Sequence, residues 1–157
     1  MIRFAPLDAA PGQARRWALL IIFAVGAFHL TTIRPGHNWG DDFGMYIHHA
    51  RNIAEGKPYA DTGYIPNPRN VLGPVTYPPV FPLLLAPVYQ LWGLNLTAMK
   101  VELILAFLLA LFLLAKTVRD FLPANWQLAL IALVGLNPYF WEYKDHIKSE
   151  IPFFVAA

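Results

Sequence analysis

Three long stretches of this chain carry no charged residue, and no other feature limits its fold as strongly. No Asp, Glu, Lys or Arg lies between Arg16 and Arg34, so Trp17 to Ile33 is an uncharged run at the short end of what crosses a bilayer. A second runs from Leu103 to Ala115. Extended outward to Thr97 and Val118 it reaches full spanning length, with Lys100 and Glu102 near one end and Lys116 near the other. The third, Phe121 to Trp141, is uncharged over its whole length and is also long enough. A helix needs roughly 20 apolar residues to cross a bilayer. A charge at mid-bilayer costs roughly 2.5–3.5 kcal/mol, whereas lysines near a helix end extend to the interface at little cost. Composition agrees with this reading. Of 157 residues, 57% are hydrophobic and 14% charged, against about 25% charged in ordinary soluble domains.

Such a chain has too much apolar surface to stay disordered. With no cysteine it has neither a disulfide scaffold nor a Cys-based zinc or redox site. A net charge of +2 without any basic run speaks against a nucleic-acid partner. The expectation is an all-α, polytopic membrane protein. Its complete spans are placed at about 17–33, 97–118 and 123–141. A fourth begins at Ile151 and is cut off within 151–157, so residues 1–157 read as the N-terminal part of a longer protein. No small-x-small cleavage site follows the first segment, where Phe28-His29-Leu30 stands instead. It therefore reads as a retained anchor.

The run from Val80 to Trp92 is too short for an ordinary span and has internal prolines, which suits an interfacial helix better. That choice sets the topology. Arg3, Arg15 and Arg16 place the N-terminus in the cytoplasm. If 80–92 does not cross, Lys116 and Arg119 also fall on the cytoplasmic side. The outer loop, 34–79, then shares the extracytoplasmic face with Trp141 to Glu150. The expected location is a bacterial inner (plasma) membrane.

The stretch from Arg34 to Pro79 is long for a connection between helices, and long structured loops usually carry function. Asp41 or Asp42 can cap a helix running to about Glu55 and stopped by Gly56. On that helix Tyr46, Ala50 and Ile53 share one face, and Met45, His49 and Asn52 a neighbouring one. The remainder is rich in Gly, Pro, Asn and Asp and reads as irregular backbone.

Several residues are candidates for chemistry. Asp41 and Asp42 can supply a general base and a group that positions a cation or ligand, or can simply cap the helix. Glu150 lies at the outer mouth of the fourth span, where it is either a second acidic group or a cap. His48 and His49 point in different directions on a helix, which makes a shared metal ion awkward; His146 stands apart. Tyr77-Pro78-Pro79 can shape a groove or start the interfacial helix. Lys100 either pairs with an anionic phosphate or marks the lipid interface. Asn95-Leu96-Thr97 matches a glycosylation acceptor only weakly.

The order of these pieces resembles the GT-C superfamily of membrane glycosyltransferases. It is nearest the protein O-mannosyltransferases and lipid A aminoarabinose transferases. The matching residues are Asp41-Asp42-Phe-Gly-Met-Tyr46, then Ala50, then Gly56-Lys-Pro-Tyr59. Tyr77-Pro78-Pro79 and an apolar helix ending at Gly93 follow. Lys100 stands where a basic residue, usually Arg, is found, and Ser149-Glu150-Ile151-Pro152 has Glu where Asp is commoner. The resemblance covers about residues 15–157.

It implies inverting transfer of a sugar from a polyprenyl-phosphate-linked donor to an acceptor (protein, lipid or glycan) on the extracytoplasmic face. Asp41 would be the general base, with Asp42 and Glu150 orienting it or a divalent metal. Tyr46, Tyr77, Pro78, Pro79 and Lys100 would line the substrate site, though Lys in place of Arg forfeits bidentate phosphate binding. The alternative is a membrane transporter or non-catalytic membrane subunit, with the acidic pair as an entry site. Against it, the span centres lack ionisable residues.

Overall fold

A computed structural model describes residues 11–37, 42–63 and 73–156. Among them every regular element is helical. The helices are α1 (Pro11–Thr31), α2 (Phe43–Ala54), α3 (Val80–Trp92), α4 (Leu96–Val118), α5 (Ala124–Gly135), α6 (Pro138–Tyr143) and α7 (Glu150–Ala156), with a 3₁₀ turn at Pro74–Thr76.

Local chemistry sets the boundaries. Asn95 accepts the Ala98 N–H at 3.0 Å and so caps α4; this is the role of the Asn-Leu-Thr tripeptide here. Tyr77 is extended, at φ −83° and ψ 119°, as a residue before proline must be. Pro79 then turns the chain into α3, which ends where Gly93 takes φ +61°. Gly56, at φ +66°, ends α2 in the same way.

Three helices form the body. The end of α1 meets the end of α5, where His29 Nε2 lies 2.9 Å from the Gly135 carbonyl. The start of α4 meets the segment after α1, where the Lys100 ammonium reaches Arg34 and Gly36. The end of α4 meets the start of α5, where Gln127 donates to the Ala115 carbonyl at 2.7 Å. The order is therefore up, down, up. The upper end gathers residues 32–37, the start of α4, α6 and the start of α7. Helices α2 and α3 pack on each other, and α3 also packs on α4. The interior is lined by Ile22, Val25, Met99, Leu103, Phe107, Leu111 and Ile131. The outward faces of α1 and α4 are also apolar, with Leu19, Leu20, Phe23, Leu105, Leu109 and Phe112 exposed.

Two helices are long and apolar enough to cross a membrane, Gly12–Thr31 and Leu96–Val118. The second matches the expected span. The first starts earlier than Trp17, because Arg15 and Arg16 extend into solvent without interrupting the helix. The expected span at 123–141 is broken. Helix α5 has 12 residues, about 18 Å of rise, and α6 begins anew at Pro138. Asn137 caps α6 by accepting the Tyr139 N–H at 2.8 Å. Proline has no N–H to continue the ladder, and its ring clashes with the preceding turn. The 80–92 helix has its expected bounds.

Candidate functional site

The upper end brings together residues from five separate parts of the chain. Its central contact is a hydrogen bond from the Tyr77 hydroxyl to Asp42 Oδ1, 2.7 Å long. Asp42 occupies the N-cap position of α2, yet its side chain makes no cap hydrogen bond. Its backbone is helical, at φ −81° and ψ −8°, and not in the extended conformation from which a side chain caps; the carboxylate accepts from Tyr77 instead. The Tyr46 ring meets the Tyr77 ring edge-on at 5.4 Å and Phe81 at 5.0 Å. The Tyr46 hydroxyl lies 3.1 Å from the Ser149 hydroxyl. Ser149 directly precedes Glu150, the exposed first residue of α7. Asp42 and the entry to α7 are thus joined by two hydrogen bonds with one aromatic contact between them.

A buried frame fixes Tyr77. Tyr59 donates its hydroxyl to the Tyr77 carbonyl at 2.8 Å, and burial pushes the Tyr59 phenol above its usual pKa. The Tyr59 ring stacks on His49 at 3.9 Å with 9° between planes. Asn52 donates to the carbonyls of Pro58, Tyr59 and Asp61 at 3.1, 3.3 and 2.8 Å. The expected second face of α2 is therefore a scaffold: His49 and Asn52 are buried, and His48 is exposed. The helix period placed His49 and Asn52 together, but the carbonyls they hold became visible only once the loop had folded. Pro78 and Pro79 are exposed beside Tyr77.

Beneath this frame lies a cluster of charges that sequence reading missed. Asp145, 6% exposed, accepts from the Arg34 backbone N–H at 3.0 Å and from Arg34 Nε at 2.9 Å. Lys144 donates to its Oδ2 at 2.5 Å, and Lys100 lies 3.3 Å from its Oδ1. Arg34 also reaches Glu142 at 2.8 Å. The Trp141 ring lies under both the Arg34 guanidinium (5.2 Å) and the Lys144 ammonium (4.8 Å). Burial alone would raise the Asp145 pKa. Hydrogen bonds from Lys144 and then Arg34 outweigh it and hold the carboxyl below its usual range. Arg34 is raised in turn, first by Asp145 and then by Glu142. The only sequence signal was the adjacent Lys144-Asp145 in an aromatic-rich stretch; the partners at Arg34 and Lys100 are far away in the chain.

Lys100 is 1% exposed and donates to the Arg34 and Gly36 carbonyls at 2.7 and 2.6 Å. Its ammonium also pairs with Asp145 at 3.3 Å. So deeply buried, it acts on an anion outside the cluster through its field. His37 accepts the Ile147 N–H on Nε2 at 2.9 Å and stacks on Phe43 at 3.9 Å, tying the segment before α7 to the start of α2.

Asp41 lies outside the described residues, next to Asp42 in sequence. Among the described residues no three His, Cys, Asp or Glu side chains form a group that could hold a metal ion, and no step is assigned to one. The arrangement provides a fixed carboxylate on a rigid aromatic support, with an excess of buried positive charge nearby. No protein-family model, curated protein or solved structure matches the chain.

Proposed function

We propose that this chain functions as an integral membrane glycosyltransferase module that uses a polyprenyl-phosphate-linked sugar. The upper end faces the extracytoplasmic side, and α5 with α6 forms a third, interrupted crossing. Exposed aromatics support a bilayer setting. Trp17, Phe121 and Trp126 lie toward the lower end, and Trp92 and Tyr139 toward the upper, as interfacial belts require. Arg15, Arg16, Lys116 and Arg119 at the lower end fit a cytoplasmic face.

The observation that carries the reading is the convergence at Asp42. Tyr77 bonds to it, Tyr59 holds Tyr77, and Tyr46 links Tyr77 to the residue preceding Glu150. These are the motif residues of the glycosyltransferase resemblance, gathered from far apart in the chain. In the proposed reaction Asp41 takes the proton from the acceptor hydroxyl as that oxygen bonds to the sugar's anomeric carbon. The bond from that carbon to the phosphate oxygen breaks, the carrier phosphate leaves, and the configuration inverts. Asp42 and Glu150 orient the base and acceptor. The net positive charge of Arg34, Lys100 and Lys144 against Asp145 and Glu142 favours the departing phosphate.

The test is D41N in the full-length protein, assayed for release of polyprenyl phosphate from the lipid-linked sugar. Loss of a general base lowers the rate about 10²–10⁴-fold. Retention of most activity overturns the assignment.

A transporter is the second reading, favoured by the helix break after Gly135, whose carbonyl His29 reaches. Interrupted helices form substrate sites in transporters. Solute uptake by proteoliposomes, lost in a His29→Ala variant that leaves lipid-linked sugar consumption intact, would select it.

A further inference from the structure

The lower end of the bundle holds a cavity of about 750 Å³ between α1, α4 and the start of α5. Its size lies within the range of small-ligand sites. Its two walls differ in chemistry. Ala18 and Ile22, both buried, and the more exposed Phe112 form an apolar part, and the exposed Arg15, Lys116 and Arg119 form a basic one. Asp120 also lines it and pairs with Arg119 at 3.2 Å, with both side chains mostly exposed. Three cations against one carboxylate leave a surplus of two positive charges. None of this belongs to the site at the upper end.

We infer that this cavity is a binding site for an anionic phospholipid, with the headgroup phosphate among Arg15, Lys116 and Arg119 and the upper acyl chains against Ile22 and Phe112. Leu19 both lines the cavity and is exposed, and Phe23 and Leu109 are exposed further along α1 and α4, an apolar surface along which the rest of the chains can lie. Trp17 and Trp126, both exposed at this end, set the depth of the headgroup region. Basic pockets between membrane helices hold anionic headgroups in this way, because the phosphate stays hydrated on one side while the chains replace bulk lipid. A free phosphate would use the cations but leave the apolar wall unfilled. The inference requires only that the bundle lie in a bilayer, and it is independent of the transfer reaction.

The experiment is native mass spectrometry of the full chain released from detergent, titrated with dioleoylphosphatidylglycerol, dioleoylphosphatidylcholine or inorganic phosphate. The expected result is at least one tightly retained phosphatidylglycerol, with phosphatidylcholine weaker and phosphate unable to displace the lipid. Each cation removed should weaken phosphatidylglycerol about fivefold, so that R15Q/K116Q/R119Q loses on the order of a hundredfold. The upper-end variant R51Q/K57Q, which removes two exposed cations, should lose nothing. If the triple variant loses helical content, K116Q and R119Q singly replace it, each with the fivefold expectation. Equal retention of both lipids, full displacement by phosphate, or undiminished binding in the substituted proteins would overturn the site. Failure of sugar transfer would leave it standing.

Discussion

The Tyr77 hydroxyl donates to Asp42 Oδ1 at 2.7 Å across 35 positions of sequence. The bond fixes a carboxylate at the start of α2 and makes the position of Asp42 depend on the Tyr-Pro-Pro segment.

Replacing Tyr77 with Phe keeps the ring contact with Tyr46 and removes that bond. A hydrogen bond to a charged group contributes about 1.5 kcal/mol. On the proposed reading, sugar transfer should therefore fall about tenfold in kcat, with KM little changed. Tyr59→Phe acts one contact further away and should lower kcat less. Steady-state kinetics on the two variants checks the order, and a larger loss in Tyr59→Phe would contradict it.

Among the described residues, Asp145 is the buried anion that faces Lys100, Lys144 and Arg34 together. Asp145→Asn leaves two buried ammonium groups without a counter-charge, which costs about 3–5 kcal/mol. Glu142→Gln removes a half-exposed partner of Arg34 and should cost less than about 1 kcal/mol. Thermal unfolding in detergent, followed by circular dichroism, compares the two.

The same carboxylate sets an acid limit. Its pKa in the folded chain is below the ordinary 3.8, so the unfolded chain binds its proton first as pH falls. The contribution of Asp145 is complete above the ordinary value and is lost as pH drops through the depressed one. Stability should be flat in this respect near neutrality and fall below about pH 4. The fall should be shallower in Asp145→Asn, as denaturation midpoints across pH would show.

At Gly135, α5 packs tightly against α1 and α4. A Cβ there would lie 2.7 Å from Val25 Cγ2 and 3.3 Å from Leu111 Cδ1. Gly135→Ala should destabilise by about 1–3 kcal/mol, and Val25→Ala in the same chain should restore part of the loss. Gly44→Ala, with open space around its Cβ, should be neutral or stabilising by about 0.4–1 kcal/mol. Chemical denaturation of the three variants gives the comparison.

Much of the scaffold was readable from local signals. Helix α3 has the bounds expected from its apolar run between Pro79 and Gly93, and α4 those expected from hydropathy and its flanking charges. The interruption at Asn137-Pro138 was missed because absence of charge reports on lipid compatibility and not on backbone hydrogen bonding. The pairing of Tyr46 with Ala50 and Ile53 followed from helix period. The union of Asp42 with Tyr77, and of Arg34 with Asp145, did not. Those contacts span 35 and 111 positions, and no local pattern encodes which distant partner a polar side chain will meet.

The Tyr46 hydroxyl at Ser149 gives the upper end a mechanical property. Tyr46 abuts Tyr77, and Tyr77 holds Asp42, so a tilt of α7 at its entry loads the Tyr46–Ser149 contact first and reaches the carboxylate only through the two rings. Ser149 is thereby the hinge-side end of a relay whose other end is the acid.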